Sequence, residues 1–316
     1  MSNLVAFTAR RFLAMIVVVY LIVTVVFFLA HLSPYDPVRI DLGQHYRSHN
    51  AQVLRHEFGL DKPLWQQYTS YLTGLVHGDL GKSESLDTIG QPVWGLLKYA
   101  IPVTLKLGFY ALALSLIVGL PVGLMSALKQ NSFLDHGSQT IMMLFYAVPA
   151  FVLVPIAQVV FGADLKLLPV TGWGDPGVLG LKELILPVTL FAAGLTGYFA
   201  KSYRSFVLEV MSQDYIRTAR AKGLKQRIII YLHAVKNTLL PLASIVGPTV
   251  GYLIAGAFII ETFFSIPGLG YVTVQSVLNS DYSVIEATTI LLAVFVVVVN
   301  FFTDIFYAMV DPRVRL

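Results

Sequence analysis

Four short patterns in this 316-residue sequence contain residue types that chemistry could use. Gly172-Trp-Gly-Asp-Pro-Gly177 spells the G-x-G-x-x-G turn that can cradle a dinucleotide pyrophosphate. A proline lies inside it and no strand-like run precedes it, so no nucleotide site is expected there. Gly81-Lys82-Ser83 ends like a phosphate-binding P-loop, but Val76 stands five positions earlier, where that loop needs glycine. His45 and His49 have the spacing of two metal ligands on one helix face. No HExxH glutamate accompanies them, and Tyr46, Arg47, Ser48 and Asn50 read as a solvated surface. The sequence has no cysteine, which excludes disulfides, thiolate metal sites and a cysteine nucleophile together.

The fourth pattern is mechanical in character. Asp214-Tyr-Ile-Arg-Thr-Ala-Arg-Ala-Lys-Gly223 begins with a good N-cap, contains Ala219 and Ala221, and has basic residues in its last turns. It ends at a glycine able to take the left-handed C-terminal conformation. It predicts a helix of about two and a half turns, lying on a membrane surface with a small, alanine-lined face for a partner's groove. A second basic and apolar stretch, Lys225 to Tyr231, borders it.

Composition sets the medium in which such a helix sits. With 56% hydrophobic and 13% charged residues and a mean hydropathy of +0.71, the chain has too little polar surface to cover itself in water. The net charge of +4 is spread through short loops and forms no stripe for nucleic acid. Stretches free of Lys, Arg, Asp and Glu run from Phe12 to Tyr35, Leu107 to Leu128, Gly137 to Ala163, Leu184 to Ala200, Asn237 to Ile260 and Ala287 to Thr303. Each approaches the roughly 20 residues that cross a bilayer, giving six expected transmembrane helices in an all-α integral membrane protein. Thr262 to Ser280 is also uncharged, but Pro267-Gly268 and Gly270 break it, so it reads as a turn and a short interfacial helix.

Thirteen of the 22 lysines and arginines, from Arg10 and Arg11 through the 201–236 stretch to Arg313 and Arg315, fall on one side of these spans. Both termini are therefore expected in the cytoplasm. The first apolar run is too long for a signal core and lacks a small-x-small cleavage site, so it is expected to remain attached. Residues 1–35 then form the N-terminus and first span, and 36–100 an external region. Residues 101–316 form a five-helix core with a cytoplasmic loop at 208–236. In the external region Trp65, Tyr68, Leu72 and Leu75 recur at helical spacing between Pro63 and Gly78.

Inside the spans, Gly119-x-x-x-Gly123 and Gly247-x-x-x-Gly251, followed by Gly256, allow close helix packing. Pro121 and Pro248 could kink the same helices. The last stretch, 17 residues long, can extend through Asp304, so Asn300 and Asp304 are read as intramembrane polar groups. Asp304 needs either a hydrogen-bonding partner such as Asn300 or a basic group from a neighbouring chain.

The segment from Asp214 to Leu240-Pro241 resembles the cytoplasmic "EAA" coupling loop of ABC importer permeases in the dipeptide, oligopeptide and nickel branch. Arg217, Thr218, Ala219 and Gly223 occupy the Glu-Ala-Ala…Gly places. The missing glutamate and first alanine and the long gap from Gly223 to Pro241 resemble that branch. Gly59-Leu-Asp-Lys-Pro63, Gln67-Tyr68, Gly78-Asp-Leu-Gly81, Glu261-Thr262, Ile266-Pro-Gly-Leu-Gly270, Asp281-Tyr282 and the tail Asn300, Asp304, Tyr307, Asp311-Pro312-Arg313 follow in the family's order.

The resemblance implies a type I ABC importer permease fold with an external helical segment between helices 1 and 2. It implies a non-enzymatic subunit of a bacterial inner-membrane peptide importer that binds no cofactor, with ATP and Mg held by partners. Those partners would be a second homologous permease, two ATPases and an external substrate-binding protein. Asp214, Tyr215, Ile216, Arg217, Thr218, Ala219, Arg220, Ala221, Lys222 and Gly223 would couple to an ATPase. Glu261, Pro267, Gly268 and Gly270 would form an outer gate or docking surface. The same architecture could carry nickel, a metal chelate or glutathione. A secondary transporter would need internal repeats and further midplane ionisable groups, and an intramembrane hydrolase a catalytic pair at membrane depth. Neither pattern is seen in the sequence.

Overall fold

A computed structural model describes residues 2–31, 52–53, 55–56, 59–85, 88–173 and 180–310. His45, His49, Gly174 to Gly177 and the Asp311-Pro312-Arg313 ending lie outside the described residues.

The chain is helical, as the span pattern requires. Helix α1 covers Ser2–His31, α2 Leu64–Val76 and α3 Val93–Leu128. Helix α4 covers Phe133–Ala147 and α5 Ala150–Ala157, the latter continued by a π-helical stretch to Asp164. Next come α6, Gly180–Met211, and α7, Asp214–Ala221. A helical turn at Gln226–Ile228 and a π-helical stretch at Ile229–Val235 lead without a break into α8, Lys236–Phe264. Two further helices, α9 (Leu269–Leu278) and α10 (Tyr282–Val310), complete the described chain. Its one isolated β-bridge joins Lys82 and Pro92.

Five stretches among the described residues are long and apolar enough to cross a bilayer. The third expected span is different. Its two helices, α4 and α5 with its π-helical extension, meet at 97°. Val148 takes an extended conformation because it precedes Pro149, and the helix cannot continue through such a pair. Counted as one bent crossing, it brings the total to the six expected. The break after α8 also follows the sequence. Ser265 adopts a left-handed conformation, Pro267-Gly268 follows, and α9 leaves at 75° as a short helix.

Two boundaries move. Helix α3 begins at Val93, so the external region drawn to residue 100 ends inside a helix. The 208–236 loop shrinks to a linker around α7, because α6 persists to Met211 and helical structure resumes at Gln226.

The core forms where α3 meets α6, with Phe199, Tyr203, Val207, Ala127 and Leu242 buried together. Gly119 and Gly123 make this contact possible. A Cβ on Gly119 would lie 3.0 Å from the Thr196 carbonyl, and one on Gly123 only 2.5 Å from that of Ala200. Gly247 plays the same part between α8 and α10 against Thr303. Large apolar side chains on the outside of α1, among them Val17, Leu21 and Leu29, face outward as a lipid-facing surface does.

Candidate functional site

Helix α7 hangs at one end of the bundle between α6 and the start of the α8 segment. Its period of 3.6 residues puts Ile216 and Ala219 on one face, where both are buried against Ile229 with Met211 packed alongside. Tyr215, Arg217, Thr218, Arg220, Ala221 and Lys222 face outward. The face available to a partner is therefore cationic and aromatic. Of the two alanines expected to line it, Ala219 instead seats the helix on its own chain.

Both ends of α7 are defined. Gln213 occupies the N-cap place and makes no side-chain cap bond, so Asp214 is the first helical residue, one position inside the expected cap. There its negative charge still complements the helix dipole, and it makes an exposed 3.4 Å pair with Arg217. At the other end Gly223 has φ +75°. Its N–H donates to the Arg220 carbonyl at 3.0 Å, and the Leu224 N–H to the Ala219 carbonyl at 3.3 Å. These are the two bonds of a Schellman cap. The Asn237 amide donates to the Tyr215 hydroxyl at 3.2 Å, joining α7 to the first turn of α8.

The bundle end that carries α7 is fixed by two ion pairs. Asp135, whose side chain is 2% exposed, receives Nε and Nη2 of Arg204 at 2.8 and 2.7 Å. It also accepts the Asn131 N–H at 2.9 Å and the Ser126 hydroxyl. This joint binds α6 to the α3–α4 turn. In the sequence both residues passed for ordinary loop-proximal charges, because 69 positions separate them. The second pair is Arg11 with Asp304, 3.0 Å apart. The basic partner of Asp304 thus comes from α1 of the same chain, while Asn300 is exposed.

At the opposite end, Glu261 is fully buried and accepts three hydrogen bonds. They come from the Thr104 hydroxyl at 2.6 Å, the Gly270 N–H at 2.7 Å and the Tyr271 N–H at 3.1 Å. It caps the N-terminus of α9. A Cβ on Gly268 would strike its carboxylate at 2.4 Å, which explains the glycine. Among the residues expected to form an outer surface, Pro267 is exposed and Glu261, Gly268 and Gly270 are buried, so three of the four form an internal corner.

A second polar cluster, which the sequence did not reveal, joins α1, the 81–92 loop and α10. Asp281 accepts the Ser83 hydroxyl at 2.5 Å and the Glu84 N–H at 3.2 Å. The Ser283 hydroxyl donates to Glu84 at 2.9 Å, and His31 lies 3.2 Å from Glu286. Ser83, part of the apparent P-loop ending, is spent in this joint and faces no phosphate space. Among the described residues no group of three His, Cys, Asp or Glu has a metal-binding arrangement.

Residues 119–316 match the family described as "Binding-protein-dependent transport system inner membrane component", and residues 4–108 match the N-terminal part of such components. The dipeptide transport system permease protein DppB of Escherichia coli K12 is 35% identical, with 98% of each chain covered. DppB of Lactococcus lactis MG1363 is also 35% identical, over 99% of this chain and 100% of its own. DppB of Bacillus subtilis 168 is 34% identical over 97% of both. A solved chain from the MetNI methionine ABC transporter shares the fold, with a TM-score of 0.57 and 19% identity over 68% of this chain and 96% of that one.

Proposed function

The chain belongs to the family of binding-protein-dependent transport system inner membrane components, and from that premise we propose that it is the permease subunit through which an ATP-driven importer moves peptides. The peptide cargo is taken from the names of relatives that align along almost its entire length. The observation that carries the mechanism is α7, a helix capped at Gly223 and seated on Ile216 and Ala219, with a cationic face turned outward.

In this reading α7 sits in a groove of a partner ATPase. Closure of the ATPase pair pushes α7, and because it is packed on Met211 and Ile229 the push reaches both α6 and α8. The Arg204–Asp135 joint passes it to α4. This chain supplies no chemical step; ATP and Mg belong to the motor subunits. A second permease completes the pathway and an external binding protein delivers the peptide.

The α7 end faces the cytoplasm. Arg11 and Asp304 bring the start of α1 and the end of α10 together, which supports both termini being on one side. The first span, the external region and the remaining helices act as anchor, outer cover and core. The test is purification of the complex followed by peptide uptake in vesicles. Two ATPases should accompany the chain, and uptake should require ATP and the binding protein. Uphill transport by this polypeptide alone, without nucleotide, would overturn the reading.

A further inference from the structure

A cavity of about 660 Å³ opens between α4 and α6, within the size range of small-molecule sites. Met142, Met143 and Phe206 make parts of its wall apolar, and Gln139, Ser202 and Ser205 supply polar groups. Its lining includes Lys201 and His136 and contains no carboxylate. Lys201 lies ten residues before the end of α6, about 15 Å along the helix from Met211.

The two cations on this part of α6 differ. Arg204 is neutralised by Asp135. Among the described residues, Lys201 has no acidic partner, though it borders a partly apolar cavity within a spanning helix. Lys201 is exposed to this open cavity, and an ionisable side chain that faces a cavity from a spanning helix is a candidate for a functional contact. Gly197 closes the neighbouring part of the cavity by bringing α6 against the Met142 carbonyl, where a Cβ would stand at 2.4 Å. The wall that presents Lys201 is thus a close-packed seam.

We infer that the α4–α6 cavity is a transit site for peptides, in which the Lys201 ammonium holds the C-terminal carboxylate. This inference rests on the peptide-import reading. The α-carboxylate is the anion common to peptides of any side chain, and one fixed cation can engage it without selecting a sequence. The lining offers no carboxylate to pair with the peptide's ammonium end.

The cysteine-free sequence makes a direct test possible. Ser205→Cys places a single thiol of this subunit in the cavity wall, and its labelling is read on this subunit in the whole transporter, reconstituted in zwitterionic nanodiscs. An anionic methanethiosulfonate should react roughly tenfold faster than a cationic one. That preference should disappear with Lys201→Met and persist with Lys201→Arg. Dialanine added directly should slow labelling and dialanine amide should not, and Lys201→Met should abolish the protection. Equal protection by acid and amide, or protection indifferent to Lys201, overturns the inference. Labelling blocked by anionic phospholipid, with no effect of dialanine, would assign the cavity to lipid headgroups and overturn it as well. Dialanine uptake by the wild-type transporter with its binding protein is measured in parallel. Its absence defeats the peptide reading, whereas normal uptake without Lys201-dependent protection defeats the transit site alone.

Discussion

Arg204 on α6 holds Asp135 on α4 with two parallel hydrogen bonds, the shorter 2.7 Å, across a joint where the acid is almost completely enclosed. Arg204→Met leaves a buried carboxylate without its cation. It is expected to lower stability by roughly 3–5 kcal/mol. The double variant Asp135→Asn/Arg204→Met should lose less than the two single losses added together, because no unpaired charge remains. Thermal unfolding of the purified complex measures both, and simple additivity would mean that the pair is not a unit.

Gly223 has φ +75°, where a β-branched residue meets a steric cost of roughly 1–2 kcal/mol. Gly223→Val should release the α7 cap and reduce uptake and binding-protein-stimulated ATP hydrolysis together while the complex still assembles. Gly223→Asn, which tolerates this conformation, should be milder. Unchanged stimulation in the valine variant would remove α7 from the coupling path.

Glu84 lies in the loop before α3, and burial pushes its carboxyl up to about 7. The charges of Asp281 and Glu286 push the same way, against the Ser283 hydrogen bond and the His31 charge. The folded state thus holds this proton more tightly than the unfolded chain, whose glutamate titrates near 4.5. Its contribution is complete below that value and is lost as pH rises through about 7. The melting temperature should therefore be higher near about pH 5.5 than near about pH 8, and Glu84→Gln should flatten the difference. An equal slope in that variant would place the titration elsewhere.

The corner between α8 and α9 should tolerate little change. Gly268→Ala forces a methyl group toward the Glu261 carboxylate and is expected to cost about 1–3 kcal/mol. Glu261→Ala removes the cap of α9, and combining the two should cost less than their sum. Proteolytic sensitivity of the α8–α9 junction reports the opening.

The Arg11–Asp304 pair is about half and one third exposed, so Asp304→Asn should change stability by no more than about 1 kcal/mol. The exchange Arg11→Asp/Asp304→Arg should restore what either reversal alone loses. Failure of the exchange would argue that Asp304 answers to another chain.

The crossings, the short helix after Pro267-Gly268, α2 between Pro63 and Gly78, and α7 with its glycine stop were legible because each depends on local chemistry. Apolar length, proline, glycine and helical spacing act within a few residues of one another. The 97° bend was missed although Pro149 signalled it, because an uncharged run reads alike whether straight or broken. Asp214 was placed one residue too early, since only hydrogen-bond geometry distinguishes an N-cap from the residue after it.

The sequence by itself determined a polytopic helical membrane protein with a capped rod between its fourth and fifth crossings, since partition into lipid and helix capping are properties of short windows. Only the tertiary structure decided what each charge touches. Arg204 could not be paired with Asp135, Asp304 with Arg11, or Glu261 with Thr104 from spacing, because these groups are brought together by helices packing across the bundle. The same packing turned Ala219 inward and left Lys201 beside an open cavity. A contact between distant residues depends on the relative placement of whole helices, which side-chain volume and glycine contacts set and no short window encodes.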